Sequence, residues 1–217
     1  MTTDAPDTET PARAATPLAV PDDAPARPPG GTRCFGDGDP LYEDYHDTEW
    51  GVPVRGEAAL LERIALEGFQ SGLSWLTVLR KRPTFRAAFA GFDPDVVATF
   101  GEDDVTRLLG DAGIIRNRQK IEATISNARA VLSLHEQGRT LEELFWSFAP
   151  EARAEAARPR TWADVPPSSP ESVALAKTFK KLGFRFIGPT TAYAAMQACG
   201  LVDDHLATCP VVLARTP

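Results

Sequence analysis

The sequence predicts an all-α fold, and three observations carry that prediction. Apolar residues recur at helical spacing, cap-plus-proline starts recur along the chain, and no stretch alternates for long enough to propose a strand. Glu57–Gly68 places apolar residues at 60, 61, 64 and 65, a one-faced helical pattern. Asp93-Pro94 supplies an N-cap and a first-turn proline for a short helix through Phe100. Asp103–Ala112 follows, stopped by Gly113. Asn117–Gln137 is the longest element, with Ile121, Ile125, Ala128 and Leu132 on one stripe and Gly138 as its stop. Thr140–Phe148 is short and rich in aromatic residues. The five prolines of Ala149–Pro170 predict a loop. Ser169-Pro170 repeats the cap-and-proline start, for a helix ending at Lys181–Leu182. Gly183-Phe-Arg-Phe-Ile-Gly188 is then a tight connection, and Pro189 opens the next helix, which ends at Gly200.

The 217 residues suit one moderate domain with a tail. Residues 1–32 are rich in Pro, Ala, Thr and Asp and hold no aromatic residue, so they bury too little surface to offset the entropy of ordering. A disordered tail over 1–32 and a helical domain over 33–217 are expected. Three cysteines cannot all pair, and the first residues contain no apolar signal core. A reducing, cytoplasmic setting with thiols free to bind metal is the simplest expectation. No run approaches the ~18 apolar residues that a membrane span needs.

A net charge of −7 argues mildly against a polyanionic partner. Distribution matters more than the total. Ser172 to Val202 contains no acidic residue but holds Lys177, Lys180, Lys181 and Arg185. Arg80, Lys81, Arg82 and Arg86 form a second basic cluster, and Arg116, Arg118 and Lys120 a third. Each reads either as a polyanion contact or as a solvated helix face.

Cys34 and His46 lie near the start of the folded part, His205 and Cys209 near its end. Four N and S ligands are what a closed tetrahedral zinc site requires. The wide gap leaves open a helical histidine and buried thiols instead. The Gly183–Gly188 connection is equally double-edged. It fits a helix-hairpin-helix unit whose free N–H groups hold a phosphate, or an ordinary helical hairpin with a glycine stop.

Residues 41–51 crowd Tyr42, Tyr45 and Trp50 into nine positions, although aromatics are 8% of the chain. Glu67 falls at the end of an apolar helix, beside Gly68, Gly72 and Trp75. Aromatic faces with one carboxylate describe a site for a flat, electron-poor or cationic ring. Tyrosine keeps its hydroxyl paired when buried, so three polar-tipped aromatics this close suggest a lined pocket more than a dry core.

At these residues the chain resembles the DNA-3-methyladenine glycosylase I family. The matching stretches are Asp39-Pro-Leu-Tyr42 with Tyr45-His-Asp-Thr-Glu-Trp-Gly51, Leu66-Glu-Gly68 with Gly72-Leu-Ser-Trp75, and Asp111-Ala-Gly-Ile-Ile-Arg-Asn117. Gly183–Gly188 and Met196-Gln-Ala-Cys-Gly-Leu-Val-Asp-Asp-His205 complete the set, in order, from about Arg33 to Cys209. The resemblance implies a helix-hairpin-helix glycosylase domain that flips 3-methyladenine out of double-stranded DNA and hydrolyses its N-glycosidic bond.

It further implies that Cys34, His46, His205 and Cys209 hold one structural Zn²⁺, that Glu67 recognises the methylated base, and that Tyr42, Tyr45, Trp50 and Trp75 line its pocket. Gly72 and Leu73 match the wedge entering the gap left by the flipped nucleotide. Gly183, Arg185 and Gly188, with Lys180 and Lys181, match the phosphate-binding hairpin. Asp203 and Asp204, beside His205, read as helix caps or supports of the metal ligand, with direct catalytic assistance as the lesser alternative. A monomer is expected. Gly36 stands where the family usually has a tryptophan, which puts the outer aromatic wall of the pocket in question. The rivals are a non-catalytic zinc-stapled DNA-binding module and a glycosylase for another alkylated purine.

Overall fold

The computed structural model describes residues 33–151 and 157–215, and the expected tail over 1–32 lies outside them. Helix starts follow the caps written in the sequence. Asp39 accepts from the Leu41 and Tyr42 amides to open α1 (Pro40–Thr48), and Asn117 accepts from Lys120 to open α6 (Arg118–Glu136). Between them lie α2 (Glu57–Gln70), α3 (Trp75–Ala88), α4 (Pro94–Val97) and α5 (Glu102–Gly110). Asp93 caps α4 with proline at its first position, and the helix stops at Val97, short of the expected Phe100. A reciprocal cap between Thr140 and Glu143 starts α7 (Leu141–Trp146). Ser169 caps α8 (Pro170–Lys181), Gly188 precedes α9 (Pro189–Ala198), and α10 (Pro210–Arg215) ends the described chain. There is no strand among the described residues. The all-α expectation holds.

One core joins these helices. α2 is buried along nearly its whole length, from Leu60 to Phe69, and packs against α3, α6, α7 and α9. Phe69, Phe85, Phe89 and Phe92 are fully buried and pack ring to ring in sequence, tilted at Phe69–Phe85 and stacked thereafter, with ring centroids 4.6–6.2 Å apart. α8 and α9 pack on each other as a pair, Phe145, Phe179 and Phe184 sealing their base. Two smaller apolar clusters sit apart from this core: Cys34, Cys209, Val211 and Val212 at the joined ends, and Tyr45, Trp50, Leu79 and Ala198 beneath a surface cavity.

Two of the three basic clusters are mostly engaged within the protein, Arg116 being exposed with no ion pair among the described residues. On α3, Arg82 pairs with Glu49 at 2.6 Å and Arg86 with Glu62 at 2.7 Å, while Arg80 reaches Asp39 and Lys81 the Ala112 carbonyl. Arg118 pairs with Glu102, and Lys120 is buried. Lys177, Lys180, Lys181 and Arg185 are exposed and form no ion pair among the described residues. The acid-free stretch is therefore the one that leaves its charge outward.

Candidate active site and metal centre

The end of α2 and the whole of α1 build the cavity. Glu67 and Gln70 are one helical turn apart on α2 and face the same space. Tyr42 and Tyr45 come from the matching spacing on α1, Trp75 from the first position of α3, and Gln197 and Ala194 from α9. Trp50, Phe35 and Trp162 complete a cavity of about 310 Å³. All five residues expected at this site, Tyr42, Tyr45, Trp50, Glu67 and Trp75, are brought together. Phe35, Gln70, Trp162, Ala194 and Gln197 were not anticipated there. The i, i+3 relation to Glu67 was a signal for Gln70; Trp162, inside a proline-rich loop, offered none.

The rings hold one another in fixed orientations. Tyr45 is buried and lies 5.4 Å from Trp75 and 6.5 Å from Tyr42, while Phe35 meets Tyr42 at 5.0 Å and Trp50 edge-on at 5.1 Å. Gly36 follows Phe35 in the chain. It adopts φ +95°, and an added Cβ would stand 2.9 Å from the Tyr42 carbonyl oxygen, so the turn itself demands glycine and swings Phe35 onto the aromatic cluster.

Electrostatics single out Glu67. Its carboxylate accepts no hydrogen bond among the described residues, and burial pushes its pKa up to about 7 against a weaker opposing pull from Arg63. Arg63 gives Nη2 to Glu49, which it shares with Arg82, while its Nη1 is buried without a partner among the described residues. Burial pushes Glu49 up, and those two guanidinium groups more than reverse it, to about 2. Burial first, and Glu67 second, hold the Tyr42 hydroxyl protonated above its usual range; Tyr45 is raised chiefly by burial. The Trp75 indole N–H is buried without a partner among the described residues. A carboxylate with no hydrogen bond among the described residues, set among ring faces, suits a planar cation bearing an amine.

The loop after α2 stands beside this cavity. Gly72 takes φ +85°, which only glycine adopts freely, and turns Leu73 outward to 40% exposure. Gln70 fixes the turn, donating to the Leu73 carbonyl at 2.8 Å while the Leu73 amide donates back to the Gln70 carbonyl at 2.7 Å. Lys120 reaches from α6 to the Phe69 and Ser71 carbonyls at 2.9 and 2.7 Å. In the α8–α9 connection, Gly183 has φ +90° and Phe186 φ +60°, whereas Gly188 is extended at the N-cap of α9 with open space around it. Asn127 holds this connection by both main-chain groups of Arg185, accepting from its N–H at 2.7 Å and donating to its C=O at 3.3 Å.

Cys34, His46, His205 and Cys209 converge, their ligand atoms lying within 4.8 Å of one another. The outer nitrogen of each ring is already engaged. His46 Nδ1 meets Asp47 at 2.9 Å, and His205 Nε2 meets the Trp50 carbonyl at 3.0 Å. His46 Nε2 and His205 Nδ1 turn toward the sulfurs, at 3.5–3.7 Å, and the Cys34 amide also donates to His46 Nε2 at 3.2 Å. Arg33 clamps Asp47 through two bonds, and the Leu206 amide donates to Cys34 Sγ at 3.2 Å. The hydrogen bond from Cys34 holds the Cys209 thiol far below its ordinary range, with both imidazoles adding to the effect. Two sulfurs and two oriented imidazoles fit a metal ion, and the group could hold one.

The aspartates beside His205 play supporting parts. Asp203 accepts from the His205 amide at 3.2 Å and from Arg158 at 2.9 Å. Asp204 is fully buried and accepts from the Tyr193 hydroxyl at 2.7 Å and from Gln197 at 2.8 Å, so it orients a cavity-lining amide.

The methyladenine glycosylase family matches this chain over residues 35–212. The DNA-3-methyladenine glycosylase 1 of Escherichia coli (strain K12) is 50% identical over 171 residues, which is 79% of this chain and 91% of that protein. A crystal structure of a 3-methyladenine DNA glycosylase I superposes with a TM-score of 0.77 at 49% identity, covering 82% of this chain and 98% of the other. The 3-methyladenine DNA glycosylase I of Staphylococcus aureus, solved to explain 3-methyladenine recognition, gives a TM-score of 0.77 at 34% identity, over 82% of this chain and 94% of its own.

Proposed function

The chain belongs to the methyladenine glycosylase family, and on that premise we propose that its cavity receives 3-methyladenine flipped out of double-stranded DNA. On this reading it acts as a DNA-3-methyladenine glycosylase, a monofunctional hydrolase of base-excision repair, as the names of its relatives support. The observation that carries the reading is Glu67: a buried, unpaired carboxylate in a ring-walled cavity, in a family whose solved members include one analysed for recognition of this base.

Methylation at N3 leaves adenine cationic and already a good leaving group, so little general-acid power is required. Flipping costs a few kcal/mol of unstacking. Leu73, presented by Gly72, would fill the vacated stack. The α8–α9 unit would serve as a helix-hairpin-helix, with the open approach at Gly188 and the first amides of α9 taking a phosphate and Lys180, Lys181 and Arg185 adding charge.

Within the cavity the Glu67 carboxylate would accept from the exocyclic amine and stabilise the purine's positive charge, while Tyr42, Tyr45, Trp50 and Trp75 enclose its faces. As the C1′–N9 bond breaks, its electron pair neutralises the purine. Water then adds to the oxocarbenium-like sugar at C1′ and loses a proton.

Cys34, His46, His205 and Cys209 would hold one Zn²⁺ with all four positions filled by protein, so the metal would supply a cross-link between the chain's ends. We read the protein as cytoplasmic and monomeric, with residues 1–32 as a tail outside this domain; no described helix is long and apolar enough to cross a membrane.

The test is base release from methylated duplex DNA, resolving 3-methyladenine from 7-methylguanine. Wild-type protein releases 3-methyladenine, and Glu67→Gln is about a hundredfold slower, the scale of losing one preorganised electrostatic group. Release of 7-methylguanine instead, or a Glu67→Gln rate equal to wild type, would refute the assignment.

A further inference from the structure

We propose that Trp162 is a base-contacting wall of the cavity and sets how tightly the methylated purine is held, an inference that rests on the function just proposed. Trp162 lies in the segment before α8, 128 residues away in sequence from Cys34, yet its indole N–H donates to the Cys34 carbonyl at 2.8 Å. Its ring stands 6.2 Å from Phe35 and 6.2 Å from Trp50, and it lines the same cavity as Glu67. Even so, it remains 44% exposed. That exposed ring area adjoins the cavity and is free to meet a ligand there.

The segment is built to hold that ring still. Asp164 accepts from the amides of Arg160 and Thr161 at 3.0 and 2.9 Å, closing a 3-10 turn on Trp162–Asp164. The Ala207 amide donates to the Pro159 carbonyl at 2.9 Å, and Arg158 pairs with Asp203, so the turn is moored to the segment around His205. A fixed indole with a spent N–H and an open ring region at a cavity of purine-accepting size offers stacking and cation–π attraction, the attraction that favours a charged purine over a neutral one.

Calorimetric titration with free 3-methyladenine, alongside metal content per chain, tests this with wild type, Trp162→Ala and Trp162→Phe. The expected result is about tenfold weaker binding by Trp162→Ala, recovery of most of that loss by Trp162→Phe, and unchanged metal content in all three. Phenylalanine keeps a ring while losing the bond to Cys34, so recovery assigns the effect to the ring. Wild-type affinity in Trp162→Ala overturns the proposal. So does weakened binding that follows metal loss in both variants, which would make Trp162 only a prop for Cys34. Failure of wild type itself to bind 3-methyladenine would strike at the function proposed above, and is recognisable because no variant is needed to see it.

Discussion

Glu67 carries opposite demands in the empty and the occupied cavity. Empty, the carboxylate is desolvated, and its pKa stands near 7. A cationic purine beside it favours the ionised form, so substrate must pull the pKa back down. Free enzyme below pH 7 is mostly protonated at Glu67 and has lost the charge that draws the cation. kcat/KM on alkylated DNA is therefore expected to fall about tenfold per pH unit below ~7, with a flat profile over the same range in Glu67→Gln. A pH–rate series on the two proteins checks it. Stability runs the other way. A folded pKa raised from 4.5 contributes stability that is fully present below about 4.5 and is lost as pH rises through about 7. Glu67→Gln should accordingly gain on wild type by up to about 3 kcal/mol above pH 8, measurable by urea denaturation.

At the scale of elements, α6 braces both loops proposed to meet DNA. Lys120 and Asn127 are two turns apart on one face, the first bonded to the carbonyls behind Gly72 and Leu73, the second to the hairpin at Arg185; Ser126 adds a bond to the Gly183 carbonyl at 3.1 Å. Asn127→Ala frees the hairpin without touching the cavity. Expected are about tenfold weaker binding to undamaged duplex in fluorescence anisotropy, a stability loss of about 1–2 kcal/mol, and unchanged affinity for free 3-methyladenine.

Much of this scaffold was readable where caps and stripes are local. Asp93-Pro94, Asn117, Thr140 and Ser169-Pro170 each open a helix where expected. α1 and α3 were not among the expected helices: α1 does open on the same cap-and-proline signal, Asp39-Pro40, but is short, and α3 interleaves four cations and an internal Pro83 among its apolar residues, so no stripe shows. The partners of those cations, Glu49 and Glu62 among them, are distant in sequence, and so is the carbonyl that Trp162 meets. Local pattern revealed the pocket's floor; its rim depends on contacts only the fold creates.

For the whole molecule, the Zn²⁺ proposed at Cys34, His46, His205 and Cys209 would fasten the run from Arg33 to α1 against the run leading into α10, beyond the main core. Its apolar neighbours are few, Val211 and Val212 with Phe35 and Leu206 at the edge, so burial alone holds these ends weakly. Phe35 belongs to both this cluster and the cavity wall, and Cys34 anchors Trp162 through its carbonyl. Losing the metal should therefore loosen the mouth of the cavity before it loosens the core of α2. Small zinc peptides gain roughly 10–16 kcal/mol from their ion, and a domain with its own core depends on it less. Stripping the metal with a strong chelator is expected to lower Tm by roughly 10 °C, the shift that a few kcal/mol produces at this size. Amide exchange should rise first in residues 33–50 and 203–213, while Leu60–Phe69 stays protected. Re-addition of Zn²⁺ at one equivalent should restore both readouts. Equal Tm with and without metal, or fewer than half an equivalent bound in purified protein, would leave the ends held by packing alone.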